Sequence, residues 1–222
     1  MPGQVGEALH SEQLESLQPL PGEADAPRLV VGAGTGLGVG LLCPLGNGRY
    51  EAYPTEGGHM AFAPTDETQE ALLRHLRGLH GRVSYERLVS GPGLVAIYRF
   101  LLEHLQAPPE AQVLLQTPDP AAAISTEALA QEDSPAARAL DIFIDAYGAV
   151  AGDLALATLA TGGVYIAGGI APRLLPRLRR GDFLGAFLRK GRMSRLVASM
   201  PLHVVTDPAV GLTGAVVAAG RL

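Results

Sequence analysis

Residues 28–45 read RLVVGAGTGLGVGLLCPL. Leu29–Val31 and Val39–Cys43 carry no charge and are rich in aliphatic and β-branched residues, the composition of buried strands. Between them lies GAGTGLG, residues 32–38. A dinucleotide fingerprint needs Gly-x-Gly-x-x-Gly opening a helix. Counted from Gly32 the last position is Leu37, and counted from Gly34 it is Val39, so both registers fail. A Walker loop fails as well, because no lysine follows. The stretch is therefore a strand–turn–strand with Thr35 exposed between Gly34 and Gly36. Such a turn either aims successive N–H groups and a hydroxyl at an anion or is a tight glycine hairpin, and spacing alone leaves both open.

Outward from this stretch, GNGRYEAYP (46–54) supplies an Asn-Gly turn at Asn47–Gly48 and a further strand, which makes an antiparallel meander. TQEALLRHLRGLHG (68–81) sets Ala71, Leu72, Leu76 and Leu79 at helical spacing. SYERLVS (84–90) reads as a short helix with Ser84 as N-cap. GPG at 91–93 breaks it, LVAIYRFLLEHLQ restarts a helix, and residues 107–124 read as a surface connection. Ser134 and Pro135 open a long, largely apolar helix through residue 160. Val164–Ala167 is a buried strand, helical stretches follow at Asp182–Leu188 and Met193–Ser199, LHVVT (202–206) is a strand, and AVGLTGAVVAAG (209–220) is a terminal helix. Strands alternating with helices after a meander predict an α/β layered domain over residues 27–222. Residues 1–26 are expected to form a helix around Ser11–Leu17 and a linker.

Composition sets the class. The 222 residues are 47% hydrophobic and 18% charged, with a net charge of −5, so a sizeable core is expected and nothing marks a nucleic-acid surface. Arg173, Arg177, Arg179 and Arg180 read as a solvated helix face. The single cysteine, Cys43, allows neither an internal disulfide nor a cysteine-based zinc site, and reads as a small buried hydrophobe. No apolar run is long enough to span a membrane, and the N-terminus is polar, so a cytoplasmic location is the expectation. Lys190 is the only lysine, Asn47 the only asparagine, and tryptophan is absent. This skew reads as base composition of the gene.

Two further stretches carry chemistry. AGGI (167–170) ends a buried strand in Gly168–Gly169, and ligands of open α/β sheets collect at the carboxyl ends of strands. TEGGHMAF (55–62) places Glu56 and His59 around two glycines, and Glu86 sits in a similarly apolar surround. Unpartnered buried carboxylates are expensive. Two carboxylates and an imidazole suit a polyhydroxyl ligand, because each carboxylate accepts two hydroxyl hydrogens. His59 alone would read as a satisfied turn histidine.

GAGTGLGVG, EGGHMAFAP, ERLVSGPGLVAIYR, GGVYIAGGIAPR and GLTGAVVAA stand in the order and approximate spacing of bacterial glucokinases, and the chain resembles that family over roughly residues 10–222. The resemblance implies the ribonuclease-H-like (actin-like ATPase) large lobe of a two-lobed sugar kinase, a mixed sheet with helices, usually paired as a homodimer. It implies glucose binding by Glu56, His59 and Glu86. It implies ATP phosphate contact at Gly34, Thr35 and Gly36, an adenosine site at Gly168 and Gly169 with Gly211–Gly214 nearby, and Mg²⁺ with the ATP. The family's Asp-x-Gly-Gly-Thr-Asn turn and its Asn-Asp pair, whose Asp is the general base, do not occur here, because Asn47 precedes glycine. The expectation is a chain without the N-terminal lobe, or a non-catalytic sugar- or nucleotide-binding remnant acting with a partner chain. A missing general base alone lowers rates by about 10²–10⁴-fold. A coupled assay on the purified chain is therefore expected to show little or no glucose phosphorylation, and normal turnover would refute that.

Overall fold

In the computed structural model, residues 13–207 are described. Their strands are β1 (Leu14–Gln18), β2 (Arg28–Ala33), β3 (Leu37–Gly46), β4 (Arg49–Thr55), β5 (Gly163–Ala167) and β6 (Leu202–Val205). They form one sheet in the order β1-β6-β5-β2-β3-β4. The meander β2-β3-β4 is antiparallel, β2 and β6 flank β5 in parallel, and β1 closes the edge antiparallel to β6. The hairpin between β3 and β4 turns at Asn47 (φ 54°) and Gly48 (φ 71°). Both angles are left-handed, as a two-residue Asn-Gly turn demands.

Alternation along β2 decides which face is covered. Leu29, Val31 and Ala33 are buried, whereas Arg28, Val30 and Gly32 are half-buried. The buried side joins a core to which the helices contribute. These are α1 (Glu67–His80), α2 (Gly91–His104), α3 (Pro120–Ala130), α4 (Pro135–Thr158), α5 (Leu175–Leu178), α6 (Asp182–Leu188) and α7 (Ser194–Val197). Helix α4 is the centre of this layer. Ser134 accepts a hydrogen bond from the Ala137 amide and Pro135 occupies the first turn, as the sequence indicates. Two glycines let α6 lie directly on α4: a Cβ at Gly148 would stand 2.3 Å from the Phe183 carbonyl oxygen, and one at Gly152 would stand 2.3 Å from that of Phe187. Tyr147 pins α4 to the sheet. Its buried hydroxyl donates to Val31 O (3.0 Å) and accepts from Ala33 N (3.2 Å).

Several expectations are corrected. Leu14–Gln18 is a strand, not part of a helix, and it belongs to the sheet rather than to a linker before residue 27. Its side chains support the pairing, since Gln18 Nε2 donates to Met200 O at 2.5 Å. Gly91-Pro92-Gly93 does not interrupt a helix but forms the first turn of α2, where a missing proline N–H is harmless; Ser90 caps it by accepting from Gly93 N at 3.0 Å. Ser84 precedes only a 3₁₀ turn, Tyr85–Arg87, and makes no side-chain cap. Residues 107–124 are not a bare connection: they hold a 3₁₀ segment, Pro109–Gln116, and the start of α3, capped by Asp119. Of the four arginines, Arg173, Arg179 and Arg180 are exposed as expected, with Arg179 paired to Glu15 and Arg180 to Glu132, whereas Arg177 is buried against Asp141. Cys43 is half-buried. The expected terminal helix at 209–220 lies outside the described residues.

Burial raises the Tyr147 hydroxyl above the ordinary tyrosine range, and burial followed by the Asp153 charge pushes Tyr85 up to about 12. Unfolded tyrosines ionise near pH ~10, so this contribution is complete below that pH and is lost as pH rises through the folded values. Tyr147→Phe would remove the hydroxyl's bonds to Val31 O and Ala33 N. It is expected to lower unfolding free energy at pH 7 by about 1–3 kcal/mol and to flatten the alkaline loss of stability, both read from urea midpoints.

Candidate functional site

The turn Gly34–Thr35–Gly36 links β2 to β3, with Thr35 exposed at its tip. Gly34 N donates to Gly36 O (2.8 Å), and Gly34 O accepts from Gly91 N (2.8 Å), which fastens the turn to the start of α2. Leu37 N, the first amide after the turn, donates to Glu86 Oε2 at 3.0 Å. A Cβ at Gly36 would lie 2.6 Å from that same oxygen, so glycine here makes room for the carboxylate.

Glu86 rides on the 3₁₀ turn Tyr85–Arg87, and Ser90 Oγ steadies it by donating to Glu86 O at 2.8 Å. Opposite lies a second 3₁₀ turn, Gly57–His59, flanked by Glu56. Both its glycines pack on β3. A Cβ at Gly57 would stand 3.2 Å from Val39 Cβ and from Leu154 Cδ2, and one at Gly58 only 2.1 Å from Leu37 O. That close approach is why the stretch TEGGH carries two glycines. It brings His59 Nε2 to 3.7 Å from Glu56 Oε2, and His59 Nδ1 to 3.8 Å from Glu86 Oε1. The side chains of Glu56, His59 and Glu86 are 91%, 56% and 33% exposed, so they form an accessible polar shelf. The segments behind the shelf are zipped together by Tyr85 N→Met60 O (2.9 Å) and Phe62 N→Val83 O (3.1 Å).

Around the Gly34–Thr35–Gly36 turn opens a cavity of about 530 Å³. Gly34 and Thr35 line one side, the first residues of α2 and α3 another, and Gly169 with Arg173 a third. Two helix N-termini carry positive dipole ends. Gly34, Thr35 and Gly169 are thus brought together, whereas Gly36 instead abuts Glu86. Gly168 acts through the backbone. Its φ is 86°, and a Cβ there would meet Ala33 O at 2.3 Å. Gly211 lies outside the described residues. Nothing in the sequence marks Ser90, Asp119 or Arg173 as site residues. The Asp119-Pro120 pair, a cap followed by a first-turn proline, is the signal that locates α3 at the cavity. Among the described residues no group of three His, Cys, Asp or Glu could hold a metal ion, and no helix is long and apolar enough to cross a membrane.

The glucokinase family model matches residues 5–222. A glucokinase of Nostoc sp. is 45% identical over 96% of this chain and 67% of its own. The crystal structure of a glucokinase from an Antarctic psychrotroph, 31% identical, superposes with a TM-score of 0.84 over 99% of this chain and 66% of that one. A glucokinase from Balamuthia mandrillaris in complex with glucose shares the fold at 22% identity, with a TM-score of 0.76 over 93% of this chain and 58% of that one. The chain spans about two thirds of the length of the first two.

The two glycine contacts predict different outcomes. Gly58→Ala drives a methyl into the Leu37 carbonyl and is expected to lower unfolding free energy by more than about 2 kcal/mol. Gly36→Ala meets only the movable end of Glu86 and is expected to lower it by about 0.5–1.5 kcal/mol through the lost Leu37 bond. Chemical denaturation of both variants checks the order.

Proposed function

The chain belongs to the glucokinase family, and on that premise we propose that it binds glucose and ATP for phosphorylation of the sugar 6-hydroxyl. The observation that carries the reading is the Glu86–Leu37 contact. One carboxylate belongs to the polar shelf and is hydrogen-bonded to the amide that closes the glycine turn at the cavity. A sugar on the shelf and phosphates at the turn would therefore be neighbours, and phosphoryl transfer depends on such positioning and on neutralising charge.

In this reading Glu56 and Glu86 accept hydrogen bonds from sugar hydroxyls, and His59 contributes a ring nitrogen between them. Glu86 Oε2 is already held by Leu37 N, so Oε1 remains for the sugar. The Thr35 hydroxyl and the turn Gly34–Thr35–Gly36 meet the ATP phosphates, helped by the N-terminal ends of α2 and α3 and by Arg173. Gly169 lines the adenosine end of the cavity, and Gly168 supplies the turn that leads into it. Its volume is in the range of small-molecule sites. Mg²⁺ would enter with the nucleotide phosphates, since the described side chains offer no metal cluster of their own. A cytoplasmic location and a homodimer are part of the same reading.

Calorimetric titration tests it. Glucose is expected to bind the chain, Glu86→Gln to weaken that binding by at least about tenfold, and the non-hydrolysable ATP analogue AMPPNP to bind wild type and Glu86→Gln alike. A wild-type chain that binds no glucose would overturn the assignment.

A further inference from the structure

The one lysine of the chain is not on the surface. Lys190, in a sequence that otherwise uses arginine for its long cationic side chains, is only 7% exposed along its side chain. It follows the end of α6 and points under α4. Its ammonium lies 2.8 Å from Asp153 Oδ1 and donates to Ala149 O at 2.9 Å. Asp153 turns its other oxygen to the shelf, accepting from the Tyr85 hydroxyl at 3.4 Å. The space is narrow: a Cβ at Gly152 would come within 2.4 Å of Lys190 Cε. A compact ammonium on a thin stem fits such a channel, whereas a planar guanidinium needs room for its fork. A lysine at this point has a steric fit that composition alone hides.

Tyr85 stands where both halves of the shelf meet. It immediately precedes Glu86, its amide holds Met60 O just after His59, and its ring packs edge-on against Phe62 at 5.6 Å. A second tether runs in parallel: Arg189 pairs with Asp145, whose other oxygen accepts from Thr65 and Gln69. Of these two tethers, the Lys190 one is hydrogen-bonded to Tyr85, the residue next to Glu86.

We propose that Lys190, through Asp153 and the Tyr85 hydroxyl, is a positioning residue that sets the Glu86 carboxylate and the His59 turn for binding a hexose. The inference rests on the sugar-binding reading of the shelf. It goes beyond that reading by assigning a role to three side chains that do not touch the ligand. The ion pair is buried on the lysine side, where breaking one partner leaves an uncompensated charge, so its geometry is held firmly.

Because the chain has one lysine, ¹³C-lysine labelling gives a single Cε signal. Glucose is expected to shift that signal with the same saturation curve that calorimetry reports, and AMPPNP alone is expected to leave it in place. Tyr85→Phe should abolish the shift and weaken glucose binding about tenfold. Lys190→Met should weaken glucose binding about five- to thirtyfold, with AMPPNP affinity within about twofold of wild type. If Lys190→Met fails to fold, the wild-type signal and Tyr85→Phe decide the matter. A wild type that binds glucose without moving the Lys190 signal, with Tyr85→Phe binding equally well, overturns the positioning role and leaves the sugar site standing. Equal weakening of glucose and AMPPNP in Lys190→Met also overturns it. A wild type that binds no glucose removes the sugar reading itself, and this inference with it.

Discussion

A buried tyrosine hydroxyl at the carboxyl ends of two central strands anchors the geometry of this protein. Tyr147, on helix α4, takes Val31 O as acceptor and Ala33 N as donor where β2 and β5 make their last pairing, Gly32 with Ala167. A buried amide left unpaired there would cost about 1–3 kcal/mol. Beyond that pairing the chain builds two turns. One is Gly34–Thr35–Gly36 at the end of β2, and the other is Gly168–Gly169 at the end of β5, folded so closely that only glycine fits against Ala33 O.

The polar shelf is assembled by backbone proximity rather than by long side chains reaching toward one another. Gly58 lies against the Leu37 carbonyl, and Glu86 takes the Leu37 amide, so both faces of one peptide neighbourhood on β3 are used. The shelf and the glycine turn, to which the proposed function assigns sugar and phosphate, are therefore positioned by the same strand. Displacement of β3 would move both together, which suits a reaction between two bound molecules. Behind the shelf, α4 presents Asp145 and Asp153 to the segments carrying Thr65, Gln69 and Tyr85, and residues 189 and 190 neutralise those carboxylates.

Much of this was legible in the amino-acid sequence where the determinants are local. The meander from Arg28 to Thr55 follows from uncharged runs and Asn47-Gly48, and α4 follows from Ser134, Pro135 and a long apolar stretch. The convergence of Glu56, His59 and Glu86 was expected, and the structure places them side by side. Long-range determinants were not legible. Leu14–Gln18 is too short to declare itself, and it becomes a strand only because Ser16 meets His203 at the other end of the chain. Gly91-Pro92-Gly93 has the composition of a break, yet Ser90 and the harmless position of Pro92 turn it into a helix start. Arg177 reads as a surface cation until Asp141 arrives from α4, and nothing local announces the pairing of Lys190 with Asp153.

The most direct test of the account is a crystal structure of the chain with glucose and AMPPNP both bound. Sugar hydroxyls are expected on Glu56, His59 and Glu86, the terminal phosphate at Thr35, and the adenosine beside Gly169. Glucose held away from Glu86, or phosphates remote from Thr35, would contradict it.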